Sequence, residues 1–112
     1  MLEVNKILQL KEEFILYKLE VDEGMFWLFN IKNGDSFRLN ETSYYILYLF
    51  DGNRSIGKIK KCILDKYPDA DPDVVLEDFE ELIKRMKKKN IFKEIRGVNN
   101  GKKKGYKAQS DL

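Results

Sequence analysis

The residues of this chain best suited to chemistry are carboxylates and cations gathered toward its C-terminal third. Asp73, Glu77, Asp78, Glu80 and Glu81 fall close together, followed by Lys84, Arg85 and Lys87 to Lys89. Such a carboxylate group suggests acid/base work or a metal cluster, but acids at this density on a helix usually form a solvated face. Cys62 is the sole cysteine and the chain has no histidine. A nucleophilic thiol therefore has no imidazole to activate it, and neither a CxxC pair nor a Cys/His zinc set can be assembled. Cys62 reads as core. No catalytic residue, metal or cofactor is expected, and the chain reads as a non-enzyme.

The overall charge of +2 hides a strong segregation: residues 84–112 carry 11 Lys/Arg against 2 acids, while residues 1–83 carry 10 against 17. A chain of 112 residues has room for one domain. The opening MLEVNKILQLKEE lacks the cationic stretch and apolar core of a secretory signal, and no run approaches the roughly 18 apolar residues of a membrane span. A soluble, cytoplasmic protein is the expectation, with no membrane partner.

The elements that must position these residues are legible in order. Phe14 to Val21 is rich in β-branched and aromatic residues, Asp22-Glu23-Gly24 punctuates it, and MFWLFNIK from Met25 to Lys32 forms a second strand. Asn33-Gly34 suits a two-residue type I′ turn into Asp35 to Leu39. That turn sets Lys32 opposite Asp35, Asn30 opposite Phe37 and Leu28 opposite Leu39. One sheet face then carries Phe26, Leu28, Phe37 and Leu39; the other carries Met25, Trp27, Phe29 and Ile31 with Ser36 and Arg38. Both faces are apolar, so something should cover the second. The N-terminal Leu2, Val4, Ile7, Leu8 and Leu10 are one candidate cover, and a homodimer or enzyme contact is the other.

Helical spacing follows. Asn40 is placed to cap a helix with Ile46, Leu49 and Phe50 on one stripe, ended by Asp51-Gly52. Ser55 starts a second helix, with Ile56, Ile59, Ile63 and Tyr67 aligned, which stops at Pro68. Asp71 and Pro72 open a third that runs to about Asn90, with Val75, Phe79, Leu82 and Met86 as its stripe. Ile91 to Ile95 reads as a short extended ending, and the Gly, Asn and Lys content beyond Gly97 as a disordered tail. The fold class expected is α+β and winged-helix-like, a three-stranded antiparallel sheet followed by three helices. Residues 1–13 are an N-terminal segment, 14–95 the domain and 96–112 a basic tail.

The order of these elements, with RLNETSYYILYLFDGNRSIGKI leading into KYPDADPDVVLEDFEELIKRMKKKNIF, resembles the PqqD-like family, the recognition elements of ribosomally made, post-translationally modified peptides. Its marks are Leu39-Asn40-Glu41-Thr42, Asp51-Gly52, Tyr67-Pro68 and the stretch from Asp78-Phe79 to Leu82. The family pattern shows a small residue where Asn90 stands, and Asn also tolerates a left-handed helix end. The resemblance implies a non-catalytic chaperone that binds the leader of a precursor peptide as an added β-strand. It then presents that peptide to a modifying enzyme, such as a radical S-adenosylmethionine maturase or a leader peptidase. Carried onto this chain, the peptide-binding residues are Ser36, Phe37, Arg38 and Leu39 on the third strand, and Val74, Val75, Asp78, Phe79 and Leu82 on the third helix. Asp78 is placed either to orient a bound peptide or to pair with a lysine.

The alternative is a winged-helix DNA-binding protein, whose third helix would enter the major groove. Here the first half of that helix carries Asp73, Glu77, Asp78, Glu80 and Glu81, which would meet phosphates with like charge. Nucleic acid is therefore the weaker partner.

Overall fold

A computed structural model describes residues 4–20 and 24–95. Leu2, the Val21 to Glu23 stretch and the basic tail from residue 96 lie outside the described residues. Among the described residues the architecture is α+β, with two three-stranded antiparallel sheets and three helices. β1 (Ile7–Leu10), β2 (Phe14–Leu19), β3 (Met25–Asn30) and β4 (Ser36–Leu39) precede α1 (Glu41–Tyr48). They are followed by β5 (Asp51–Ser55), α2 (Ile56–Lys66), α3 (Pro72–Lys88) and β6 (Phe92–Glu94). The strand order is β2-β3-β4 in one sheet and β5-β1-β6 in the other.

The first sheet is the expected meander, but its register differs from the one a two-residue turn would set. Leu28 pairs with Phe37 and Phe26 with Leu39. The connection is a four-residue loop over residues 31–34, closed by Asn30 N–H donating to Asp35 O and Gly34 N–H to Asn30 O, both at 2.8 Å. The Asn30 side chain accounts for the difference. Its Oδ1 accepts from Lys32 N–H at 2.8 Å and, more weakly, from Asn33 N–H at 3.4 Å, and this local bonding starts the turn early. Asn33 is not left-handed, as a type I′ turn would require; Gly34 alone takes positive φ, at 81°. The shift is two residues, one full side-chain period. Each residue thus keeps its predicted face.

The helices start where the sequence places them. Asn40 Oδ1 accepts Ser43 N–H at 2.7 Å, Ser55 Oγ accepts Lys58 N–H at 3.2 Å, and Asp71 Oδ1 accepts Asp73 N–H at 3.0 Å. Each bond satisfies a donor that the first helical turn leaves open. At the other end of α3, Asn90 takes φ 59° and its N–H returns to Lys87 O at 2.9 Å. Its left-handed backbone stops the helix and turns the chain into β6.

The second sheet is a departure from the expected three strands. Asp51-Gly52 ends no helix: α1 closes at Leu49, and Asp51 opens β5. β1 lies at the centre of this sheet, with Ile7 opposite Ser55 and Leu8 opposite Glu94. Gly52 takes φ 86°, a left-handed backbone that favours glycine, and a Cβ there would also crowd the Gln9 side chain across the β1–β5 contact at about 3.0 Å. A chain composed of Asp, Gly, Asn and Arg has little strand propensity of its own; pairing with β1 imposes it.

Between the sheets and helices lies one core in which Leu28, Leu47, Ile56, Ile59, Ile63, Phe79, Ile83 and Ile91 are fully buried. Leu8 of β1 is part of it at 5% exposure, so this N-terminal strand packs inward and does not cover the Trp27 face. Lys60 Nζ, 3.2 Å from Glu80 Oε2, ties α2 to α3. Removing the Leu8 side chain should therefore leave a cavity: Leu8→Ala is expected to cost about 2–5 kcal/mol in urea unfolding. Ile15→Ala, on the open face, should stay within about 1 kcal/mol. Equal losses would place Leu8 outside the core.

Candidate functional site

β4 is the outer strand of its sheet, with β3 on one side and no described strand on the other. Because Asn30 N–H bonds to Asp35 O, the antiparallel alternation turns the main-chain groups of Phe37 and Leu39 toward β3. Those of Ser36 and Arg38 point outward. Side chains alternate as well: Phe37 and Leu39 face the helices, while Ser36 and Arg38 lie on the outer face, where the Arg38 guanidinium sits 5.5 Å from the Trp27 ring centroid.

The outer edge of β4 borders a cleft of about 440 Å³ against the C-terminal half of α3. Ser36, Phe37, Arg38 and Leu39 form one wall, and Leu82, Arg85, Met86 and Lys89 the other. Lys89 Nζ lies 4.3 Å from the centre of the Phe37 ring and joins the two walls at one end. Beyond the other end of β4, a second hollow of about 240 Å³ is lined by Thr42, Ile46, Ile63, Tyr67, Val74, Val75 and Asp78. The residues singled out in the sequence thus divide. Ser36, Phe37, Arg38, Leu39 and Leu82 meet at the β4 cleft; Val74, Val75 and Asp78 meet at the hollow.

Phe79 belongs to neither. It is fully buried in the core and stacks on Phe50 with ring centroids 6.3 Å apart and planes 7° from parallel. Val74, at 50% exposure, and Asp78 stand at the surface, with Val75 half-buried between them. The cleft's cationic wall, Arg85 and Lys89, was not among the residues chosen from sequence. Their spacing of four on the helix places them one above the other, and their approach to β4 is a tertiary matter.

Tyr45 adjoins the hollow, its ring 6.5 Å from that of Tyr67 in an edge-on arrangement. Burial, reinforced by nearby Cys62 and Tyr67, pushes its phenol above the usual tyrosine range. Among the described residues no group of three or more His, Cys, Asp or Glu side chains is placed to hold a metal ion, those of the acidic stretch of α3 included. Cys62 is partly buried against the core. Among the described residues no helix is long and apolar enough to cross a membrane.

On the other side of the sheet, Ile15, Tyr17, Leu19, Trp27, Phe29 and Ile31 line a shallow apolar trough of about 540 Å³. Ile15, Tyr17 and Ile31 are each about half exposed.

Two comparisons bear on this geometry. Residues 26–91 match the family model of coenzyme PQQ synthesis protein D (PqqD), a stretch from within β3 to the residue before β6. Among solved structures, the chain is similar in fold to TbiB1 in complex with the TbiA(beta) leader peptide. The TM-score is 0.60 at 16% sequence identity, over 76% of this chain and 94% of that one. No curated protein sequence matches the chain.

The burial pattern separates support from surface. Phe79→Ala should cost about 3–5 kcal/mol in chemical denaturation. Val74→Asp, at an exposed position, should change stability by no more than about 0.5 kcal/mol. Comparable losses at both positions would contradict the placement of Phe79 in the core.

Proposed function

The chain belongs to the PqqD family, and on that footing we propose that it is a non-catalytic chaperone that binds the leader of a ribosomally made precursor peptide and presents it to a modifying enzyme. The observation that carries this reading is the outer edge of β4 beside α3, on which no described strand lies. Outward main-chain groups of Ser36 and Arg38 are spaced to pair with an incoming strand, and such pairing gives affinity with little demand on sequence. The apolar and charged walls of the cleft then select among peptides. The fold it shares with TbiB1, a protein whose structure holds a leader peptide, supports the same reading.

Presentation needs a second surface that stays accessible while β4 is occupied. The Trp27/Phe29 trough meets that need, because it lies on the sheet face opposite Phe37 and Leu39. We assign it to the modifying enzyme, a radical S-adenosylmethionine maturase or a leader peptidase. Holding the leader on one surface and the enzyme on another raises the local concentration of the peptide core at the enzyme.

DNA binding is disfavoured by the acidic first half of α3, where Asp73, Glu77 and Glu81 are exposed. These carboxylates would face phosphates if the helix entered a groove.

Strand addition has a specific test. Arg38→Pro deletes an N–H that points away from β3, so the existing ladder is preserved while one bond to the peptide is lost. Candidate leaders from short reading frames adjacent to the gene should bind the wild-type chain in fluorescence anisotropy. Arg38→Pro should weaken them at least about tenfold, and Arg38→Ala much less. Circular dichroism would verify the fold. Equal affinities for the two variants would rule out main-chain pairing at this edge, and salt-sensitive duplex binding without peptide binding would replace the reading with a nucleic-acid one.

A further inference from the structure

The two hollows along α3 differ in chemistry. Arg85 and Lys89 line the β4 cleft, and neither forms an ion pair with a described carboxylate. Glu81 stands one helical turn before Arg85 and Asp35 immediately precedes β4, yet neither neutralises this wall. Lys89 is steadied by the Phe37 ring. A cation held by a ring face retains its N–H donors for another partner. The hollow at the start of the helix is instead walled by Ile46, Ile63, Tyr67 and Val75, with Asp78 at its rim. One end of the groove thus offers cation donors, and the other offers an apolar seat.

The arrangement has a direction. Ser36 and Phe37 adjoin Lys89, whereas the chain leaving β4 through Asn40 and Thr42 leads to the hollow. A strand added antiparallel to β4, the more stable pairing, would enter at the hollow and leave past Arg85 and Lys89. Along α3, Val75 and Arg85 are separated by about 15 Å of helix axis, which an extended chain crosses in about five residues.

Resting on the peptide-binding reading above, we infer that the segment this protein selects carries a large apolar side chain for the Ile46/Ile63/Tyr67/Val75 hollow. About five residues toward its C-terminus it carries an acidic residue for Arg85 and Lys89. Arg85 and Lys89 are the specificity-determining residues of the cleft. A carboxylate between them gains charge-assisted hydrogen bonds, and a basic residue there meets like charge.

The test is selection from a displayed library of random 12-residue peptides on the full chain. It is followed by anisotropy titration of enriched peptides against wild type and R85Q/K89Q. Enriched sequences should show the apolar residue first and the acid about five positions later. Changing that acid to lysine should weaken wild-type binding at least about tenfold, and R85Q/K89Q should erase most of the difference. Both side chains are exposed, so the variant should fold; if it does not, the acid-to-lysine arm on the wild-type chain decides. Peptides that lose binding to Arg38→Pro but show no acid preference, or show the reverse order, would overturn this inference and leave peptide capture standing. Enrichment of no peptide at all would overturn both.

Discussion

The packing of the buried face of α3 is the constraint on which the rest of this structure depends. Phe79, Leu82, Ile83 and Met86 are each no more than 3% exposed, and together they set how closely the helix approaches the sheet. Phe79 stacks on Phe50, which also contacts Phe92 at 4.9 Å between ring centroids. The helix is thereby held against both the first helix region and the last strand. With one side of α3 committed to the core, the neighbouring side is left to line the cleft. The groove beside β4 is a by-product of that rigid support, and a rigid groove costs less ordering when it is filled.

The second sheet serves this arrangement indirectly. β1 joins β5, which leads into α2, to β6, which follows α3. It therefore links the segments flanking the two helices that meet at the core. β4, by contrast, has no described strand on its outer edge. Exposed strand edges are a hazard that proteins usually blunt. Here the strand is only four residues long and carries Arg38. Both features limit uncontrolled pairing while leaving room for one short partner.

Much of this was legible in the sequence because it is local. The capping residues Asn40, Ser55 and Asp71 act within two or three positions of themselves, and all three caps are present. The alternation in MFWLFN assigns Phe26 and Leu28 to the core face whatever the turn, since a shift of two residues preserves every face. The exact turn was not legible. Asn33-Gly34 is a strong hairpin signal, but the competing bonds to Asn30 Oδ1 moved the loop, and propensity does not reveal which local bonding wins. β5 was missed because Asp51-Gly52-Asn53-Arg54 has the composition of a loop and becomes a strand only through pairing with β1.

The same division runs through the candidate site. Sequence by itself determined the helices and their apolar stripes, the faces of β3 and β4, and the acidic-to-basic gradient along α3, all consequences of neighbouring residues and fixed periods. Only the tertiary structure decided which stripe residues are surface and which are support. It buried Phe79 in the core, divided the remaining candidates between two hollows, and brought Arg85 and Lys89 across to β4. It also drew β1 into a second sheet, so that among the described residues no strand covers the Trp27 face. These are outcomes of contacts between residues distant in sequence, and helical or strand periodicity fixes where a side chain points without fixing what it meets.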